Sequence, residues 1–98
     1  MALIISLKRG EDLYVEDDRL VVTEIREDGS CLVSTDRGDF EVVDDQMVEV
    51  FPDVFVSAGN RAHIYTVRLA VDAPREKVIL RGTKYRERLE DQRRELAG

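Results

Sequence analysis

The stretch RLVVTEIREDGSCLVST, residues 19–35, decides the fold class. Apolar and polar residues alternate on both sides of Asp28-Gly29, and β-branched residues are frequent, which is typical of strands. Asp-Gly favours a two-residue hairpin turn because such a turn needs positive φ. We therefore predict two antiparallel strands, 19–26 and 31–35, joined by a tight turn.

Further runs of this kind, separated by turn residues at intervals of roughly eight to twelve positions, fill the first 80 residues. Pro52 separates two of them and cannot donate a hydrogen bond to a central ladder, so we expect both neighbours to be edge strands. The additional predicted strands are 2–7, 13–15, 40–43, 47–51, 54–57, 64–71 and 77–81. The sequence thus predicts an all-β fold up to this point.

A single C-terminal helix is predicted over residues 83–97. Thr83 is a candidate N-cap after Gly82, and Arg86/Glu90 and Glu90/Arg94 have the four-residue spacing that favours ion pairs on a helix. The apolar stripe is too thin for burial in a bundle. We expect the helix to dock lightly on the sheets or to project from them.

Length and composition exclude several classes of protein. The chain of 98 residues amounts to one domain. It has one cysteine, Cys31, and one histidine, His63, which cannot supply an internal disulfide or a zinc site, so we expect no cofactor and no metal. No apolar run is long enough to span a bilayer, and no secretion signal is evident. We therefore expect a soluble, cytoplasmic protein.

The net charge of −6 is unevenly distributed. Residues 1–25 carry three basic and six acidic groups, residues 26–66 three and nine, and residues 67–98 nine and six. The middle segment therefore accounts for the whole net negative charge. Any site for an anion is expected near the ends of the chain.

Two stretches at these ends resemble the carbon storage regulator (CsrA/RsmA) family. LIISLKRGE at 3–11, followed by LYV at 13–15, is similar to that family's opening strand, which contains Thr-Arg-Arg followed by Gly-Glu. VRLAVDAPREKVILR at 67–81, followed by Tyr85, is similar to its Val-Arg-Ile-Gly-Val-x-Ala-Pro block. The matching stretches cover nearly half of the chain. The acidic segment 27–66 has no counterpart, and we interpret it as an inserted β segment containing an extra hairpin.

The resemblance implies an interlocked, strand-exchanged homodimer, in which the first strand of one subunit pairs with the last strand of the other. It also implies a regulator of translation that binds GGA motifs displayed in the hairpin loops of messenger RNA. In the family, the paired first and last strands form the two RNA sites.

The resemblance also implies which residues contact RNA. Arg81 matches the family's RNA-contacting arginine, and a guanidinium can pair with a phosphate or a guanine edge and stack on a base. On the first strand, where the family reads bases largely through backbone groups, Leu7 and Lys8 stand in place of two arginines. Strand alternation puts Lys77, Ile79 and Arg81 on one face. The predicted RNA-binding residues are Ile5, Ser6, Leu7, Lys8, Lys77, Ile79 and Arg81.

Several alternatives stay open at this point. Lys8 is either a phosphate contact or a solvated side chain, and Lys77 either restores the charge lost at Leu7 or is an ordinary exposed lysine. An enzyme is not expected, because the paired carboxylates Asp17-Asp18 and Asp44-Asp45 are typical of turns. The alternative function is a protein-interaction module that has lost RNA binding and acts on a regulator or a flagellar assembly partner through the acidic segment.

Overall fold

The structure is a computed structural model that describes residues 3–59 and 66–97, with side chains up to residue 94. These residues form strands and a terminal helix, in agreement with the predicted class. In chain order the elements are β1 (Leu3–Lys8), β2 (Asp12–Val15), β3 (Asp18–Ile25), β4 (Cys31–Thr35), β5 (Gly38–Val42), β6 (Val48–Phe51), β7 (Val54–Ala58), β8 (Thr66–Asp72), β9 (Ile79–Arg81) and α1 (Gly82–Ala97).

The strands form two antiparallel sheets. One has the order β1-β8-β7-β6 and the other the order β5-β4-β3-β2-β9. Alternate residues of both sheets share one hydrophobic core, with Leu7 and Leu69 from the first sheet and Leu13, Leu20 and Val33 from the second. Because side chains alternate along a strand, each sheet keeps its other face outside this core.

The predicted hairpin of β3 and β4 is present, but its turn is longer than expected. The pairing runs up to Ile25 opposite Cys31. The Gly29 N–H donates to the Arg26 carbonyl, and the Arg26 N–H donates to the Ser30 carbonyl, which leaves a loop of residues 27–29. Gly29 has φ of 92°. The prediction of a two-residue turn was therefore wrong, although positive φ at this glycine was correctly anticipated.

Two predicted strands have a different position or extent. The run 54–57 is not an edge strand, because β7 lies between β6 and β8, while Pro52 lies in the turn outside both ladders. Lys77 is not in the last strand, since its N–H closes a turn onto the Pro74 carbonyl and β9 begins at Ile79. The β8 strand starts at Thr66, and the predicted residues 64–65 lie outside the described part of the chain.

The acidic segment 27–66 is part of both sheets. It supplies β4 and β5 to the five-stranded sheet and β6 and β7 to the four-stranded one. Its apolar residues Val33, Val42, Phe51 and Val56 are completely buried in the common core. The segment is thus built into both sheets of the domain.

The first turns of α1 are firmly docked on β2. The rings of Tyr14 and Tyr85 stack with centroids 3.7 Å apart, and the Tyr85 hydroxyl donates to Asp17 Oδ1 at 2.8 Å. Arg86 pairs with Asp12 rather than with Glu90, and Thr83 lies inside the helix instead of capping it. Within the described residues, no helix is long and apolar enough to cross a membrane.

Candidate functional site

Two of the predicted RNA-binding residues meet where the two sheets adjoin. Arg81 is the last residue of β9, and Ser6 lies in the middle of β1, on the other sheet. Arg81 Nη1 donates to the Ser6 carbonyl at 2.6 Å. A guanidinium carries five N–H donors, so this contact leaves most of the donors of Arg81 for another acceptor. The two stretches that carry the family resemblance therefore touch at the side chain of Arg81.

The backbone of β1 has an outward edge. β1 pairs with β8 on one side, and no described strand lies on the other. Both backbone groups of Lys8 face outward, because its N–H donates to Glu11 Oε1 and its carbonyl accepts from the Glu11 N–H. Since backbone groups alternate along a strand, those of Ile4 and Ser6 face outward too. This edge offers the outward backbone groups of Ile4 and Ser6 beside Arg81, because those of Lys8 are already bonded to Glu11.

The side chains of Ile5 and Leu7 point away from this edge. They are 7 % and 1 % exposed and belong to the hydrophobic core. Leu7 thus fills a core position. An arginine at the same position would have its charge buried, which is unfavourable. The backbone groups of Ile5 and Leu7 face β8, by the same alternation that turns those of Ser6 and Lys8 outward.

The three predicted residues around β9 are separated by the structure. Ile79 is half-buried and packs against the core, whereas Arg81 reaches Ser6. Lys77 lies in the turn before β9, at the opposite end of the strand from Arg81. The structure therefore groups Ser6 and Arg81, with Lys8 two residues further along the same edge, and leaves Lys77 apart.

A buried carboxylate beside Arg81 was missed by the sequence reasoning. Asp12, at the start of β2, is 5 % exposed and accepts hydrogen bonds from Arg19 Nε at 2.7 Å and from Arg86 Nη1 at 3.0 Å and Nη2 at 3.2 Å. Burial raises the pKa of the Asp12 carboxyl, but the bonds from Arg86 and then Arg19 outweigh this effect, so the pKa is below its ordinary value. We call Asp12, Arg19 and Arg86 the Asp12 triad.

Asp12 and Arg86 line one small depression together with Arg81. Its lining includes Leu7, Glu11, Asp12, Arg81, Gly82 and Arg86. Two guanidinium groups and two carboxylates therefore lie close together. Asp12 is fully engaged by its two arginines, whereas Glu11 is hydrogen-bonded to the β1 backbone.

The residues considered for other chemistry have structural positions. Asp44-Asp45 forms a turn, as expected, and Asp17 accepts from Tyr85. Cys31 is buried in the core, and burial raises the pKa of its thiol to about 11, so it carries little thiolate at neutral pH. His63 lies outside the described residues.

Comparisons with protein-family models, with curated proteins and with solved structures give no match. The resemblance to the carbon storage regulator family therefore rests on residues 3–15 and 67–85 themselves.

Proposed function

We propose that this chain binds single-stranded GGA motifs in messenger RNA and regulates translation, acting in the cytoplasm. The observation that carries the proposal is the contact between Arg81 and the Ser6 carbonyl at the outward edge of β1. It puts a planar cation from one family-like stretch beside outward backbone groups of the other. Single-stranded RNA is recognised by such groups, because unstacked bases expose their edges and faces.

The distribution of backbone groups also supports a homodimer. The Glu16 N–H donates to the Val78 carbonyl, so Val78 and, by alternation, Leu80 face β2. The backbone groups of Ile79 and Arg81 then face the open side of β9. We propose that β9 of one subunit, which has three residues, pairs with part of the six-residue β1 of its partner and leaves the rest of that β1 edge to RNA.

Fluorescence anisotropy with a labelled GGA-loop hairpin tests the proposal. The assay compares this RNA with a loop-scrambled hairpin near physiological ionic strength, where nonspecific charge effects are damped. We expect the Arg81→Ala variant to bind the GGA hairpin about tenfold more weakly, since a good guanidinium contact is worth roughly 1–3 kcal/mol.

Arg37→Ala is the matched control, because Arg37 is exposed in the turn between β4 and β5, on the far edge of the five-stranded sheet. It removes the same charge and should change affinity less than about twofold. Equal binding of both RNAs, or equal effects of the two arginine variants, would contradict the proposal.

A protein-interaction module is the second candidate. The observation that favours it is a pair of exposed apolar side chains within the acidic segment, Met47 at 45 % and Phe55 at 37 % exposed. Exposed apolar groups among charged ones are common at protein interfaces. If this candidate is right, Arg81→Ala leaves partner binding unchanged, whereas Phe55→Ser weakens it and has no effect on RNA.

A further inference from the structure

The carboxylate of Asp12 lies against the point where β9 becomes α1. Gly82 is the first residue of α1 and is buried, and a Cβ at this position would overlap Asp12 Oδ1. Arg86, one helical turn further on, makes two hydrogen bonds to the same carboxylate. The first turn of the helix is therefore fixed to β2 through Asp12.

The backbone of Arg81 is restrained on two sides. In the ladder between β2 and β9, Arg81 is opposite Leu13, the neighbour of Asp12. On its other side Arg81 is followed directly by Gly82. The backbone of Arg81 is thus held by the strand pairing and by the Asp12 contact, and its side chain leaves from a fixed Cα.

Asp12 also keeps the positive charge of Arg86 apart from that of Arg81. Arg81 and Arg86 line the same depression, and two guanidinium groups in one small space repel each other. Asp12 binds Arg86 through both of its carboxylate oxygens and so holds that cation on the β2 side. Arg81 is left to bond with Ser6 on the β1 side.

We propose that Asp12 is the positioning residue of the Arg81 site, acting through Gly82 and Arg86 without touching RNA. This inference rests on the proposed function for its RNA-binding consequence, but the positioning of Arg81 by Asp12 is a property of the free protein. Removing the charge of Asp12 releases Arg86 and loosens the start of α1. Arg81 then spends less time on Ser6.

A double-mutant cycle tests the consequence for RNA. Asp12→Asn keeps the size of the side chain and should weaken GGA-hairpin binding roughly threefold to tenfold in the wild-type background. In the Arg81→Ala background the same substitution should have no further effect. Asp36→Asn, in the exposed turn between β4 and β5, is the matched control and should leave affinity unchanged. Equal losses in both backgrounds would overturn the proposal, because they would show a general structural effect.

A side-chain ¹⁵N spectrum tests the positioning itself and does not depend on RNA. The guanidinium signal of Arg81, assigned by its loss in Arg81→Ala, should be distinct in the wild type. In Asp12→Asn it should shift towards that of a freely solvated arginine, and it should stay unchanged in Asp36→Asn. An unchanged Arg81 signal in Asp12→Asn overturns the inference. If the wild type does not bind the GGA hairpin, the proposed function fails and this spectrum alone decides the role of Asp12.

A second variant covers the case in which Asp12→Asn does not fold. Gly82→Ala puts a methyl group where Asp12 Oδ1 lies, and the carboxylate must move away from Arg86 or from the helix. The variant should therefore shift the Arg81 signal in the same way, although alanine favours the helix by about 1 kcal/mol over glycine. A Gly82→Ala protein with the wild-type Arg81 signal would contradict the proposed path through Gly82.

Discussion

Asp12 is the residue on which the local structure around Arg81 depends most. It is a nearly buried carboxylate in a small domain, and it is stable there because two arginines donate three hydrogen bonds to it. Both arginines keep about half of their side-chain surface in water. The unfavourable free energy of desolvation therefore arises mainly at the carboxylate. Such a group should affect the stability of the protein as a function of pH.

The Asp12 triad predicts a defined loss of stability in acid. Because the pKa of Asp12 in the folded protein is below the ordinary value of 3.8, the triad stabilises the fold at neutral pH. Protonation removes this contribution as the pH falls through the folded-state pKa. We expect the wild type to exceed Asp12→Asn by about 1–3 kcal/mol in unfolding free energy at pH 7, and the gap to close below pH 3.8.

Urea unfolding of both proteins at a series of pH values measures this gap. The Asp36→Asn variant again serves as the control, since Asp36 is exposed in the turn between β4 and β5. A gap that persists to the lowest pH studied would contradict the assignment to Asp12.

At the scale of elements, α1 is held mainly by its first turns. The Tyr14 and Tyr85 rings are nearly parallel, with an interplanar angle of 7°, and the hydroxyl of Tyr85 reaches Asp17. That hydrogen bond, with some desolvation, raises the pKa of Tyr85. The side chains from Glu87 to Arg94 are exposed, so the later turns of the helix contribute less to docking.

Two substitutions at Tyr85 should separate these contributions. Tyr85→Phe keeps the stacking and loses only a solvent-accessible hydrogen bond, so its stability should stay close to that of the wild type. Tyr85→Ala removes the ring as well and should cost about 2 kcal/mol, with lower helix content by circular dichroism. Equal stability losses in the two variants would show that the stacked pair does not hold the helix.

Element type was predictable from sequence, while element pairing was not. Alternation and turn residues are local signals, and they predicted β3, β4 and the terminal helix closely. The pairing of β1 with β8 joins Leu3 to Val71, and no local pattern specifies such a distant partner. The inner position of β7 was missed for the same reason, because Pro52 excludes only its own residue from a ladder.

The candidate site was predictable to a similar extent. The two family-like stretches led to Ser6 and Arg81, and their contact is a tertiary feature that the sequence did not reveal. Asp12 was missed because an aspartate after Gly10-Glu11 has the pattern of an ordinary turn. Its burial depends on Arg86, 74 positions further along the chain.

At the scale of the whole molecule, the acidic segment 27–66 cannot be treated as a removable part. It provides four strands and several core residues, so its deletion would destroy both sheets. The effect of its negative charge can instead be tested by substituting exposed acidic residues. Asp39, Asp45 and Asp53 are exposed, and asparagine tolerates the positive φ of the latter two.

We expect the triple variant with asparagine at positions 39, 45 and 53 to bind loop-scrambled RNA more tightly than the wild type does. The substitution changes the net charge from −6 to −3, which reduces repulsion of the phosphate backbone. Affinity for the GGA hairpin should rise by a similar factor or less. Anisotropy at several salt concentrations measures both effects, and unchanged nonspecific binding would show that this charge does not select against RNA.

An NMR titration of the ¹⁵N-labelled protein with the GGA hairpin tests directly whether the outward edge of β1 binds RNA. We expect the largest amide shifts in residues 4–8 and 79–82, around the Arg81 and Ser6 contact. The loop-scrambled hairpin should produce much smaller changes there. Shifts concentrated in β4 to β7, or no difference between the two RNAs, would contradict the claim that this edge reads single-stranded RNA.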